Sequence, residues 1–273
     1  MSKPEDSPLG RVAAYGDRYD PGLLFSIERA PQRAALGIGD PLPFSGADLW
    51  TAYELSWLGP QGKPEVAIGR FSVPAESPRI VESKSLKLYL NSFSQTRFDS
   101  TADVERAIAA DLGAAFGAAV AVESIGPREF ARLRLADLEG ESIDDLAIEV
   151  EDYAPRPDLL VAGAAAVEET LVSHLFKSNC PVTGQPDWGS VQVRYRGPRI
   201  DRAGLLRYLV SYRQHAGFHE HCVERIFVDL RERCRLGKLT VYARFTRRGG
   251  IDINPFRSDW EGLPPDRVRT ARQ

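Results

Sequence analysis

Apolar and polar residues alternate in two early stretches, DLWTAYELSWL (48–58) and PEVAIGRFSVP (64–74). That period predicts a pair of half-buried strands, and the intervening GPQGK supplies the turn that joins them. The spacing changes after Pro78. PRIVESKSLKLYLNSF reads as a short strand running into a helix, with Leu86, Leu90 and Phe93 at helical spacing and Ser83 or Ser85 as its cap. Asp99, Ser100 and Thr101 offer caps for a second helix over 102–119, after which AVAVESI (119–125) returns to strand alternation.

The pattern weakens across 126–165, where DYAPRPDLL carries two prolines, and a domain junction is expected there. A similar order then returns. VEETLVSHLF and SVQVRYRG are predicted strands, Asp201 caps a helix to about 215, and a second helix spans 219–235. LTVYARFTR and IDINPF close as strands. The halves share an architecture with little residue identity. Antiparallel strands with helices grouped together predict an α+β fold. The expected division is an N-terminal arm, 1–40, irregular and rich in Gly and Pro, followed by domains 41–140 and 141–273.

Composition narrows the function. Hydrophobic residues make up 43% of the 273, enough for a substantial core. The net charge of −3 argues against bulk attraction to nucleic acid, although the chain from Arg225 onward is locally basic and suits a phosphate-bearing ligand. The start of the chain has no apolar signal core, and no run approaches the ~18 apolar residues of a membrane span. Three cysteines, an odd number, disfavour a disulfide framework. A cytoplasmic location is therefore expected.

Three tracts carry candidate chemistry. In SNCPVTGQPDWGS (178–190), Cys180 is expected on an accessible loop with Asp187 in the same loop as a proton donor. The alternative is a small buried thiol and a turn aspartate. In GFHEHCVERIFVDL (217–230), His219 and Glu220 invite a metal site with Cys180 or Cys222, recognition of a heterocycle, or no more than a capping Glu and His at a helix start. The spacing is not H-E-x-x-H, since Val223 stands four residues after His219. In VESKSLKLYLNSF (81–93), Lys84 and Lys87 beside serines at a helix start make either a phosphate cradle or a solvated face. A G-x-G-x-x-G fingerprint is absent, which disfavours a Rossmann cofactor site.

Together these tracts resemble the NADPH-dependent 7-cyano-7-deazaguanine reductases of queuosine biosynthesis. The signature stands as Glu82-Ser83-Lys84-Ser85-Leu86-Lys87-Leu88-Tyr89, the cysteine loop as Cys180 to Asp187, the next motif as Phe218-His219-Glu220, and a basic-glycine segment as Arg247-Arg248-Gly249-Gly250. The order of the motifs resembles the long form of the family, which implies two tandem tunnelling-fold (T-fold) domains, antiparallel sheets with paired helices on one face.

The resemblance implies that Cys180 attacks the nitrile of 7-cyano-7-deazaguanine to give a thioimide, and that Asp187 protonates the nitrogen. It puts Val81, Glu82, Ser83, His219 and Glu220 on the substrate, and Ser83, Lys84, Arg248 and Gly249 on NADPH. Two NADPH are used per turnover, and no metal. It further implies a homodimer or larger ring, with no direct nucleic-acid or membrane partner. Cys222 and Cys234 read as structural. The rival readings are a zinc-dependent, GTP cyclohydrolase-like purine hydrolase and a non-catalytic nucleobase- or RNA-binding module.

Overall fold

The computed structural model describes residues 16–264 and 268–273, so the first fifteen residues of the expected arm lie outside the described residues. The rest of the arm holds regular elements, strand β1 (Ser26–Glu28) and helix α1 (Ala30–Ala35). Strands β2 (Ser45–Leu58), β3 (Pro64–Pro74) and β4 (Arg79–Val81) precede helices α2 (Ser83–Asn91) and α3 (Thr101–Phe116), and β5 (Ala121–Ile125) follows. After the short β6 (Glu141–Ser142) come β7 (Ala162–Ser173), β8 (Lys177–Asn179) and β9 (Pro186–Ile200). Helices α4 (Arg202–Ser211) and α5 (His219–Cys234) lead to β10 (Lys238–Phe245) and β11 (Ile251–Ser258).

The chain divides into two compact units. The first contains residues through Pro31, Asp48–Arg134 and Arg247–Ile253. The second contains Gln32–Ala47, Leu135–Thr246 and the residues from Asn254 on. The structure is thus mixed α+β, and its long ladders are antiparallel.

In the first unit the strands run β5-β3-β2, and β1 pairs with β4 as a separate ribbon. Helix α3 buries Val104, Ile108, Leu112 and Phe116, a stripe repeating every four residues. This stripe joins a core with Trp50, Leu55 and Trp57 of β2 and Leu86, Tyr89 and Phe93 of the α2 segment. Full burial of each large side chain contributes roughly 1.5–3 kcal/mol. Ile251 and Ile253 belong to the same core, which accounts for the late segment 247–253 lying in this unit. Helix α3 stops three residues short of expectation, because Gly117 turns left-handed at φ 73° and donates its N–H to the Gly113 carbonyl.

In the second unit the strands run β11-β10-β9-β7-β6, with β8 added against β9. Asp201 caps α4 as expected, accepting from the Gly204 amide. The helix ends at Ser211, and a 3-10 turn, Tyr212–Gln214, replaces its predicted last residues. Among the described residues, no helix is long and apolar enough to cross a membrane.

Candidate functional site

The cysteine tract folds as a hairpin. Strand β8 pairs with the start of β9, setting Ser178 opposite Asp187 and Lys177 opposite Trp188. The Cys180 amide donates to the Gln185 carbonyl at 2.8 Å, and the Gly184 amide donates to the Cys180 carbonyl at 3.0 Å. Gly184 takes φ 69°, a left-handed value that glycine adopts without strain.

This corrects two expectations. Asp187 lies on strand β9, outside the turn, and Cys180 is 1% exposed although residues 183–186 of the turn are open to solvent. The paired backbone of the hairpin turns the cysteine inward and fixes the aspartate two rungs along the ladder.

The hairpin is stitched to the start of α5. Asn179 donates its amide to the His215 carbonyl at 2.8 Å and accepts the Gly217 amide at 3.0 Å. A side chain at Gly217 would crowd His215 Nε2 at 2.9 Å and Cys222 Sγ at 3.4 Å, so the close approach needs glycine there. His219, the first residue of α5, then comes to Asp187, with Nε2 3.8 Å from Oδ1. Its ring meets Phe245 edge to face, centroids 4.1 Å apart.

Glu220 is buried in the first turn of α5, where a carboxylate is favoured by the helix dipole. The cap residue, Phe218, supplies no side-chain bond. Glu224, one turn further, is fully buried. It accepts from Arg33 Nε and a terminal nitrogen at 3.0 and 2.7 Å, and from the same atoms of Arg257 at 3.1 and 2.8 Å. Both guanidiniums lie over the Phe44 ring. This clamp holds the helix that presents His219 and Glu220.

The signature tract lies in the first unit, and its helix cap is neither predicted serine. Glu82 occupies the cap, with Oε1 accepting from the Lys84 amide at 2.8 Å and Oε2 from the Ser85 amide at 2.9 Å. Ser83 Oγ adds a longer bond of 3.4 Å. The amides expected to cradle a phosphate are therefore engaged by Glu82. Burial pushes the Glu82 carboxyl above its ordinary value. The two amides, the Arg248 guanidinium and the Ser83 hydroxyl pull the other way. Val81, just before it, is buried as the last residue of β4.

Around this turn lie the cations of the same unit. Lys87 faces Glu54 at 3.8 Å, and Arg247 lies 4.2 Å over the Tyr53 ring. Gly249 and Gly250 have φ of 61° and 78°. A Cβ on Gly249 would meet Lys87 Cδ at 3.0 Å, and one on Gly250 would meet Glu54 at 2.4 Å. A bare backbone turn next to lysine and arginine suits a polyanionic dinucleotide, which needs close approach and positive charge. The residues assigned to NADPH therefore fit it in type: Ser83, Lys84, Arg248 and Gly249.

The candidate residues thus fall into two groups. Cys180, Asp187, His219 and Glu220 belong to the second unit, and Val81 through Lys84 with Arg248 and Gly249 belong to the first. Sequence reasoning missed Phe245, Asn179 and the Glu224 clamp. Asn179 left no signal, because its partners are some thirty-six residues away. Phe245 was visible only as one apolar position in an alternating strand.

Burial pushes Cys222 up to about 12 and Cys234 up to about 11, so both are unreactive near neutrality. Among the described residues, no group of three or more His, Cys, Asp or Glu is arranged to hold a metal.

Comparison with known proteins bears on both groups. Residues 15–124 match a family model described as nitrile reductase, 7-cyano-7-deazaguanine-reductase N-term, and residues 186–261 match one described as QueF-like protein. The first contains the Glu82 turn, and the second contains Asp187 and the α5 motif. The NADPH-dependent 7-cyano-7-deazaguanine reductase of Burkholderia multivorans is 58% identical over 272 residues, covering 99% of each chain. That of Bordetella pertussis is 60% identical over 269 residues, covering 98% of each. With identity of this order over nearly the whole of each chain, the chain belongs to the NADPH-dependent 7-cyano-7-deazaguanine reductase family.

Proposed function

We propose that the chain reduces the nitrile of 7-cyano-7-deazaguanine to 7-aminomethyl-7-deazaguanine with NADPH, a step of queuosine biosynthesis. The observation that carries the chemistry is the hairpin: a buried thiol with an aspartate two rungs away, stitched to the helix start that bears His219 and Glu220.

Cys180 gives up its proton to solvent and adds to the nitrile carbon as the thiolate, forming a C–S bond while one C–N π pair moves to nitrogen. Asp187 gives that nitrogen a proton, and the product of the addition is a thioimide. The exclusion of water from Cys180 keeps the thioimide from hydrolysis. NADPH, when bound, supplies hydride, two equivalents for the whole reduction. Cys180 leaves again as the C–S bond breaks, and protons taken up from solvent balance the amine. His219 holds Asp187 and the substrate in register. Glu220 and Glu82 accept from the amine and ring N–H groups of the deazaguanine, while Val81 and Ser83 line the same heterocycle. Ser83, Lys84, Arg248 and Gly249 hold NADPH.

Further parts of the reading rest on the family. The two units are tandem tunnelling-fold domains, supported by antiparallel sheets and two main helices in each. Along the chain the domains run 41–140 and 141–273 after an arm, 1–40, that the first family model partly includes, with the late segment 247–253 packed into the first unit and 32–47 into the second. The protein is a cytoplasmic homodimer, and three free cysteines agree with a reducing compartment.

Turnover is the test. With both substrates present, two NADPH should be oxidised per amine formed, without added metal. Failure to consume NADPH, or strict dependence on zinc, would refute the reading.

A further inference from the structure

The N-terminal segment ahead of β1 lies along α2 within the first unit. Tyr19 donates its hydroxyl to Asp111 Oδ2 at 2.5 Å, and its ring sits edge-on to Phe93 at 5.1 Å. The segment ends at Phe25, whose peptide brackets the Glu82 turn. The Phe25 carbonyl accepts the Glu82 amide at 2.9 Å, extending the β1–β4 ladder by one rung. The Phe25 amide donates to Ser85 Oγ at 3.0 Å, and Ser85 Oγ donates to the Glu82 carbonyl at 2.6 Å.

Ser85 is fully buried, so its hydroxyl has no water with which to replace these partners. Its oxygen closes a ring of hydrogen bonds through Phe25 and Glu82. The backbone of Glu82 is held at both its N–H and its C=O, while its carboxylate is held by the Lys84 and Ser85 amides.

We infer that Ser85 is a positioning residue for substrate recognition: together with the Phe25 peptide of the N-terminal segment, it fixes the Glu82 carboxylate in the orientation that accepts the deazaguanine edge. This rests on the reading that Glu82 binds that edge. The segment is then a built part of the recognition turn.

A role confined to Glu82 separates binding from chemistry. Affinity for 7-cyano-7-deazaguanine is measured by calorimetry in a Cys180→Ala background, where no adduct forms. The rate of thioimide formation at saturating nitrile is measured with Cys180 present. Ser85→Ala removes the partner of the Phe25 amide and leaves the Glu82 carbonyl with the Leu86 amide alone. It is expected to weaken binding about tenfold, ~1.4 kcal/mol, with the saturated rate within about twofold of the parent. Ser85→Thr keeps the oxygen and is expected to restore most of the affinity. Should Ser85→Ala not fold, Phe25→Pro removes the donated amide while leaving Ser85 in place, and the same loss of affinity is expected.

Glu82→Gln serves as the control. If it binds as tightly as the parent, the reading of Glu82 itself fails. If it binds weakly while Ser85→Ala binds normally, or if Ser85→Ala slows the saturated rate at unchanged affinity, the positioning role is overturned.

Discussion

The two groups of site residues are built by opposite means. In the second unit, Cys180, Asp187, His219 and Glu220 are all buried, and strand pairing and a helix start hold them where water is excluded. In the first unit, one buried carboxylate, Glu82, is locked by its own helix, and the cations near it remain partly open to solvent. Covalent chemistry needs exclusion of water and fixed geometry, whereas capture of a charged, exchanging cofactor needs access. The same division orders the expected effects of substitution.

Asp187→Asn should have the largest effect. Loss of the proposed proton donor is expected to lower the saturated rate about 10²–10⁴-fold, with native thermal stability and nitrile affinity near that of the parent. An unimpaired rate in stopped-flow measurements would remove Asp187 from the chemistry. Glu224→Ala acts on the scaffold of the same group. It leaves Arg33 and Arg257 buried without their shared anion and is expected to cost about 3–5 kcal/mol in denaturant unfolding. A loss under about 1 kcal/mol would show that the clamp is not what holds α5.

The first unit should respond more mildly. Arg248→Ala is expected to raise KM for NADPH roughly tenfold and leave nitrile affinity intact, since one partly exposed charge contact is of order 1 kcal/mol. A matching loss of nitrile affinity would place Arg248 on the substrate. The smallest effect concerns pH. Glu82 has a raised pKa in the fold, so the folded state holds its proton more tightly than the unfolded chain. Its contribution to stability therefore declines as pH rises from about 4.5 through the folded pKa. Glu82→Gln, which does not titrate, should gain stability relative to the parent over that window. A difference that does not vary with pH would contradict the direction of the shift.

The same contrast explains how much the sequence disclosed. Periodicity located both main helices of each unit and most of the long strands, because a stripe such as Val104, Ile108, Leu112 and Phe116 is written directly in the spacing. The cap of α2 was not legible. Serine is the better intrinsic cap, and Glu82 takes the position because its buried carboxylate satisfies two amides at once. The exposure of Cys180 was misjudged for a similar reason. A tract rich in Gly and Pro signals a turn, but which way its first residue points depends on pairing with β9 and on Asn179 meeting residues near His215. Those partners are remote in sequence and carry no motif. The glycines at 249 and 250 stood in a recognisable segment, yet their purpose needed the positions of Lys87 and Glu54.

The central claim is that Cys180 is the nucleophile toward a nitrile, and intact-protein mass spectrometry tests it most directly. The folded protein is incubated with 7-cyano-7-deazaguanine in the absence of NADPH. The expected result is a mass increase equal to the whole nitrile, absent in Cys180→Ala and discharged when NADPH is added. Folded wild-type protein that gains no mass at saturating nitrile, or Cys180→Ala protein that gains the same mass, would contradict it.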